Sequence, residues 1–422
     1  MRKVFVSGMG AVSPYGIGAG LLGQKIREGV GAVVNVKAAW DGKISDLNTW
    51  VAAPLAQPLD PQSIPRKMRR SMGPLAMMAY VAAEEAVRSA DLACPFERPE
   101  RVGVSFGSST GSVRCLDDVF LAYHRNKGMG GLLSGSFFQI MSHTCASNLA
   151  HAFGLGGYVV SPNAACASAT MGIGLGYEAV RDGKADIMIC GGADELHPMV
   201  SGTFDLVQAA STHFNDRPDA TPRPFDRDRD GTVCGEGAGA LVLESESSLM
   251  RRGGRAIAEI IGFASCNDGA ALAQSNEESI LRCLHNALDI PDLLPDAVAY
   301  VNAHGTGTVL GDAAEARAIA RFFGDKQPPV SGLKGYFGHT LGASGALELI
   351  ASLILIREKR LPPNRNLEII AEDCSGLDLI REEREIPLDQ TTEKGLVMIK
   401  NSFAFGGLNS VLVARVPLDT AN

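Results

Sequence analysis

Tyr158-Val159-Val160-Ser161-Pro162-Asn163-Ala164-Ala165-Cys166-Ala167-Ser168 reads as the end of a strand, a turn and the start of a helix. The apolar run predicts the strand, and the small, proline-free residues from Ala167 to Val180 predict the helix. Cys166 then sits on the turn, at the helix N-terminus. There the helix dipole and free backbone N–H groups favour the thiolate, the nucleophilic form of cysteine. Small neighbours leave room for a substrate carbonyl. A buried structural cysteine is the competing reading, because free cysteines are commonly buried. This stretch alone leaves both open.

The same pattern is stated twice along the chain. Val4-Phe5-Val6-Ser7-Gly8 answers to Ile257-Ala258-Glu259-Ile260-Ile261-Gly262, and Val102 to Gly107 answers to Val298 to Gly305. The Cys166 turn and its helix answer to Gly338-His339-Thr340-Leu341-Gly342 and a helix from Ala343 to about Arg357. Asp186 to Gly192 parallels Leu396 to Asn401, and Gly239 to Leu243 parallels Ser410 to Ala414. Strands alternating with helices imply an α/β architecture with buried, mostly parallel sheets. Two facing halves, 1–250 and 251–422, would pack in layers and leave a cleft where equivalent strand ends meet. The polar stretch Ser245 to Arg255 marks the boundary.

Composition narrows the class. A chain of 422 residues, 45% hydrophobic and 20% charged, suits a soluble protein with a large core. A net charge of -8 argues against a general nucleic-acid binder. The 48 glycines and 6% aromatics point to closely packed backbones and tight turns. Nine cysteines without CxxC pairs fit a reduced, cytoplasmic protein, with neither a disulfide framework nor a zinc site. The start, Met1-Arg2-Lys3-Val4-Phe5-Val6, has the charge and apolar character of a signal peptide. Ser7, Gly8 and Gly10 interrupt it, and a first strand is the better reading. No apolar stretch reaches 18 residues free of glycine and charge, so no membrane span is expected.

Three motifs of the second half bear on Cys166. Asn302-Ala303-His304-Gly305-Thr306-Gly307-Thr308 puts a histidine at a strand end among small and hydroxyl residues, with Gly311-Asp312 and Glu315 following. Gly332-Leu333-Lys334-Gly335-Tyr336-Phe337-Gly338-His339 is the second. Asn401-Ser402-Phe403-Ala404-Phe405-Gly406-Gly407-Leu408-Asn409 is the third, a loop that places one ring and exposes backbone donors.

Taken with Cys166, in this order and at these separations, the motifs resemble those of the β-ketoacyl-acyl carrier protein synthases. These are condensing enzymes of the thiolase superfamily, and the elongating type II members are the most similar. The resemblance runs from Val4 to about Val413. Supporting matches are Pro224-Phe225-Asp226-Arg227-Asp228-Arg229-Asp230-Gly231 and Gly235-Glu236-Gly237-Ala238-Gly239.

The resemblance implies a thiolase-like αβαβα fold built from two pseudo-duplicated halves. It implies that Cys166 takes an acyl group from an acyl carrier protein as a thioester. A malonyl carrier protein then loses CO₂, and its carbanion attacks that thioester to give a β-ketoacyl chain two carbons longer. His304 and His339 match the pair that offers N–H groups to the developing enolate oxygen, a role imidazoles suit. Lys334 matches the family's lysine, expected to orient the histidines through Glu315. Backbone N–H groups of Cys166 and Phe405 match the oxyanion hole, and the Phe405 ring matches the gate beside the nucleophile. Thr306 and Thr308 match contacts to the phosphopantetheine arm. That arm is the substrate carrier; no tightly bound cofactor is expected. The run Arg66-Lys67-Met68-Arg69-Arg70 is either a solvated face or the place where an acidic carrier protein docks. A dimer is expected, with an identical or a homologous subunit.

Several positions depart from the family pattern. Gly332-Leu333 replaces Ser-Thr before the lysine, Tyr336 a methionine, Ala404 a glycine and Leu408 a threonine. Within Gly107-Ser108-Ser109-Thr110-Gly111, a polar Thr110 stands at the expected acyl pocket where housekeeping elongases carry an apolar residue. These changes leave the chemistry intact and open the acyl substrate, fatty or polyketide and polyene-type. A non-catalytic chain-length partner would lack Cys166, and a thiolase would carry a second cysteine near its C-terminus. A cysteine hydrolase would form the acyl-enzyme but not condense. Cys166, His304 and His339 lack the short spacings of a zinc site. Arginines alternating through Asp226 to Asp230 predict a salt-bridged loop rather than a calcium site. The other six histidines, at 124, 143, 151, 197, 213 and 285, are expected at the surface or satisfied in the core.

Overall fold

A computed structural model describes residues 1–269, 272, 275–386 and 395–417. In the first half the strands are β1 (Val4–Ser13), β2 (Val102–Gly107), β3 (Val159–Val160), β4 (Ile187–Asp194) and β5 (Gly237–Ser245). In the second half they are β6 (Ala258–Asn267), β7 (Val298–Asn302), β8 (Pro329–Ser331) and β9 (Asp378–Leu379), followed by β10 (Leu396–Ala404) and β11 (Leu408–Val416). They form one sheet in the order β9-β8-β7-β10-β11-β6-β1-β5-β4-β2-β3, with Gly16–Ile17 pairing beside β1. Outward from the centre, β1, β5, β4, β2 and β3 correspond to β6, β11, β10, β7 and β8. The repeat in the sequence is therefore a pseudo-twofold relation in the sheet.

The sheet is mixed rather than mostly parallel. β1 with β5, β5 with β4, β6 with β11, β11 with β10 and β1 with β6 are all antiparallel. Parallel pairs are confined to the flanks, β4-β2-β3 and β10-β7-β8-β9. The physical reason lies in the returns. β10 turns straight back into β11 through a hairpin at Phe405–Gly407, and β4 returns as β5, so each half ends antiparallel to its neighbour. Within the sheet the halves join through three residue pairs, Val4↔Ile260, Phe5↔Glu259 and Val6↔Ala258.

Helices fill three layers. α1 (Pro74–Ser89) and α2 (Thr144–Phe153) cover the outside of the first half. α4 (Glu277–Ala287) and α5 (Val309–Phe323) cover the outside of the second. Between the halves lie α3 (Ser168–Arg181) and α6 (Ser344–Arg357), which touch each other and strands of both halves. α6 is buried all round, from Ser344 through Leu353, as a middle-layer helix must be. The layers αβαβα follow, with the largest core cluster running through the middle layer and drawing residues from both halves.

The first strand runs on through Ser7, Gly8 and Gly10 to Ser13, and pairs with β5 from Val4 to Val12 except for a bulge at Ser7. The strand before Cys166 is only the two residues Val159–Val160, because Pro162 cannot extend the ladder. All nine cysteines are free, and among the described residues no group of His, Cys, Asp and Glu is placed to hold a metal. No helix of the described residues is long and apolar enough to cross a membrane.

Candidate active site

Cys166 lies in a one-turn 3₁₀ segment, Ala165–Ala167, that leads into α3. Ala165 adopts φ 45°, a left-handed conformation that a non-glycine residue holds only under constraint. The Ser168 hydroxyl secures the elbow by accepting from Ala164 N at 2.9 Å and donating to Ala165 O at 2.7 Å. The equivalent elbow before α6, Leu341–Ala343, has Leu341 at φ 51°. It carries His339 two residues upstream. His339 is held from the backbone, donating to Val233 O at 2.7 Å and accepting from Gly235 N at 2.8 Å.

His304 follows β7 and is fixed from two sides. Glu315 on α5 accepts from His304 N and Gly305 N, both at 2.8 Å. Lys334 Nζ donates to His304 O at 2.5 Å and lies 3.3 Å from its Nδ1. Lys334 does not reach the histidines through Glu315, as the sequence reading had it. Its carboxylate partner is Glu348 on α6, at 2.7 Å, with both side chains fully buried. The carboxylate of Glu315 is instead occupied by the His304 and Gly305 amides and by Asn401 Nδ2 at 3.0 Å.

One pocket, about 490 Å³ including its solvent-open mouth, brings the predicted residues together. Cys166, His304 and His339 line it with Thr306, Thr308, Glu315 and Phe405. The imidazoles of His304 and His339 lie edge to face at 5.3 Å. Phe405 belongs to the hairpin where Gly406 and Gly407 take φ 86° and 74°, and its ring is partly exposed. Phe204, which no sequence signal marked, packs against Phe405 at 5.7 Å and against His339 at 6.4 Å. Thr110 is exposed and does not line this pocket. Nor do Arg66, Lys67, Arg69 and Arg70, which lie on a surface turn, Arg66–Arg69 and the residue after it.

The hydrogen bonds assign the imidazole tautomers. The Leu341 amide can only donate, and it reaches His339 Nδ1 at 3.3 Å. The Lys334 ammonium can only donate, and it faces His304 Nδ1. Both Nδ1 atoms are therefore acceptors, and each neutral ring carries its proton on Nε2. His339 Nε2 has no partner among the described residues. Burial, then the nearby Lys334 ammonium, hold both histidines well below their ordinary pKa, so they are neutral at physiological pH.

Cys166 behaves otherwise than the helix N-terminus alone would predict. Burial pushes its pKa up to about 12, against the opposing pull of Lys334. Desolvation of a thiolate outweighs the helix dipole here. The resting nucleophile is a protonated thiol facing two neutral imidazole donors.

The segment around Asp226 is the salt-bridged loop the alternating charges predicted. Asp226 pairs with Arg223 at 3.0 Å, and Arg229 pairs with Asp373 at 2.9 Å. The six remaining histidines are at least partly exposed.

Comparison with known proteins agrees with this geometry. The family model for the N-terminal domain of β-ketoacyl synthases matches residues 1–248, and that for the C-terminal domain matches residues 257–368. The chain is 32% identical over 417 residues to 3-oxoacyl-(acyl-carrier-protein) synthase 1 of Escherichia coli (strain K12), covering 98% of this chain and 99% of that one. It superposes with a TM-score of 0.92 and 39% identity on the crystal structure of a β-ketoacyl synthase from Burkholderia phymatum STM815, covering 99% and 100% of the two chains. A ketosynthase solved in complex with its type II polyketide acyl-carrier protein gives a TM-score of 0.87 at 26% identity, covering 99% of each chain.

The protonated thiol sets an expectation. Iodoacetamide alkylation of resting Cys166, followed on its peptide by mass, should rise about tenfold per pH unit with no plateau in the neutral range. A plateau near neutral pH would mean a resting thiolate and overturn the burial argument.

Proposed function

The chain belongs to the β-ketoacyl synthase family, and on that premise we propose that it performs a decarboxylative Claisen condensation with Cys166 as the nucleophile. The observation that carries this reading is the pair of neutral imidazoles with protonated Nε2 atoms lining one pocket with a free cysteine. A hydrolase needs a base to activate water. Here both imidazoles have their Nδ1 atoms engaged and offer donors, which suits a developing enolate oxygen.

In the first half-reaction Cys166 Sγ attacks the thioester carbonyl of an acyl carrier protein. The acyl group passes to sulfur, and the pantetheine sulfur leaves with the proton that the thiol gave up. The oxyanion formed on the way is met by backbone N–H groups of Cys166 and Phe405. In the second half-reaction the malonyl C–CO₂⁻ bond breaks and its electron pair forms the enolate. His304 and His339 donate to the enolate oxygen. The enolate carbon attacks the acyl thioester and expels the Cys166 sulfur, which takes up one proton. Products are CO₂ and a β-ketoacyl carrier protein two carbons longer.

Thr306 and Thr308 receive the phosphopantetheine arm; both are half-buried in the pocket lining, with their hydroxyls 2.9 Å apart. Phe405 closes the pocket wall against Phe204 and gates the acyl chain; its glycine neighbours permit the swing. An acidic carrier protein docks on Arg66, Lys67, Arg69 and Arg70, which form no ion pair among the described residues. The protein assembles as a dimer through β3, the sheet's outer edge, where Tyr158 and Val159 are exposed. An unpaired apolar edge of this kind invites a second strand.

Intact-protein mass measurement after incubation with acyl carrier thioesters tests the nucleophile. Cys166→Ala should lose the acyl increment, and an increment that persists would place the nucleophile elsewhere. In the same assay Phe405→Ala should change acylation rate and chain-length preference together. His304→Ala and His339→Ala should each slow CO₂ release from malonyl carrier protein by about 10²–10³. Unchanged CO₂ release in both would remove the histidines from the enolate step.

Reversing Arg66, Lys67 and Arg70 to glutamate should raise KM for the carrier substrate while leaving kcat unchanged. Equal KM in the reversed and native proteins would return this turn to a solvated face. Light scattering should give twice the chain mass at micromolar concentration, and the mass of a single chain would contradict the dimer.

A further inference from the structure

Lys400 is buried on β10, in the middle of the sheet, between Asn302 of β7 and Leu412 of β11. Its side chain has no solvent exposure. Its Nζ lies 2.7 Å from Glu348 Oε2 and also donates to Asn401 O. Glu348 therefore carries two ammoniums, Lys334 at Oε1 and Lys400 at Oε2, each at 2.7 Å. Asn401 in turn donates to Glu315, whose carboxylate holds the His304 amide.

Stability does not explain this lysine. A buried ion cluster of this kind is typically no more stable than apolar residues of the same volume. Its neighbours along β10, Met398 and Ile399, are apolar and fully buried. A leucine or methionine at position 400 would satisfy the sheet.

Charge balance does explain it. The charged groups that face Lys400 are Glu348 from α6, Lys334 from the turn Lys334–Phe337 and Glu315 from α5. The neutral phenol of Tyr300 on β7 also faces Glu348. With Lys400 present, two ammoniums oppose two carboxylates within this set of facing groups. Without it, one negative charge is left beneath His304, His339 and Cys166. That charge would oppose both the thiolate and the enolate, the two anions the reaction must form.

We propose that Lys400 is a positioning residue of the condensation site, whose ammonium occupies the second oxygen of Glu348, fixes Lys334 against His304 and cancels the excess buried negative charge. Lys400 also helps hold both histidines neutral, since its charge adds to that of Lys334 in opposing their protonation. The proposal rests on the condensation reading. One of its tests does not.

That test is iodoacetamide alkylation of Cys166 at one mildly alkaline pH, which needs no acyl substrate. Lys400→Met and Lys400→Gln should slow it about threefold. The thiolate would then form near a Glu348 carboxylate that Lys400 no longer compensates, a loss that the accompanying gain in intrinsic nucleophilicity only partly offsets. The second readout is the acid limb of CO₂ release from malonyl carrier protein. It should move to higher pH in both neutral variants, because losing a cation makes the histidines easier to protonate. Lys400→Arg should keep both curves at wild type.

Neutral variants that fold and keep both wild-type curves would make Lys400 a packing residue and overturn the proposal. So would neutral variants that fail to fold while Lys400→Arg folds, since Lys400 would then be a structural ion pair. A wild-type protein that releases no CO₂ would sink the condensation reading instead, and the alkylation rates would still report on Lys400.

Discussion

Everything at the site depends on how closely the two middle-layer helices begin. A Cβ at Gly345 on α6 would stand 2.1 Å from Thr170 Oγ1 on α3 and 2.8 Å from its backbone nitrogen. A Cβ at Gly192 at the end of β4 would stand 2.3 Å from Gly342 O. Only glycine permits that approach. The carboxylate of Asp194 bridges the same junction, accepting from Gly342 N at 2.5 Å and from Ser109 N at 3.0 Å. Because the elbows are held backbone to backbone, Cys166 and His339 reach one pocket from opposite halves. A fraction of an ångström lost at this junction would separate nucleophile from donor, and reactions of this kind are sensitive to such displacement.

The close packing also sets the electrostatics. It excludes water, so ionisation is controlled by a few fixed charges instead of by solvent. Burial drives the Cys166 thiol up and the histidines down, and both shifts favour neutral groups at rest. The nucleophile and both imidazoles therefore wait uncharged. The ammoniums lie one layer deeper, on Glu348, where they bias the site toward anions without themselves meeting substrate. A lysine placed directly in the pocket would bind the malonyl carboxylate and stabilise the ground state. Set behind His304, its field acts mainly when negative charge appears.

The parts of the site legible in the sequence were those that interrupt a pattern with chemistry. Cys166 ends a strand-turn-helix, and His304 and His339 stand among glycines, so each was visible. The duplicated order of elements was visible too, because small-residue helices following strands recur at matching places. Glu348 carried a readable signal that went unused. It is the only charged residue between Ser344 and Ile356, and a lone carboxylate in a fully apolar helix needs a buried partner. Lys400, directly after the apolar run Leu396 to Ile399, is the matching signal on β10. Their pairing was not legible, since it joins a strand to a helix 52 positions away, which no local pattern encodes. Phe204 and the antiparallel centre of the sheet lie beyond reach for the same reason. Each depends on where distant segments return, whereas spacing reports only neighbours along one element.

The two elbows show how one backbone device yields two chemical roles. Ala165 at φ 45° and Leu341 at φ 51° hold equivalent turns at the starts of equivalent helices. In the first half the next residue is Cys166, so the elbow presents a nucleophile. In the second half the next residue is Gly342, whose amide binds Asp194, so the elbow becomes a fastener. The chemistry there moves two residues upstream to His339, whose ring is locked by the elbow's own Leu341 amide. One half thus brings the nucleophile Cys166 to the pocket, and the other brings His304 and His339. The pseudo-twofold fold supplies two apposed positions, and the condensation needs them to differ. Equivalent elbows therefore serve different ends, Cys166 as nucleophile and Gly342 as the amide that fixes Asp194 at the junction of the halves.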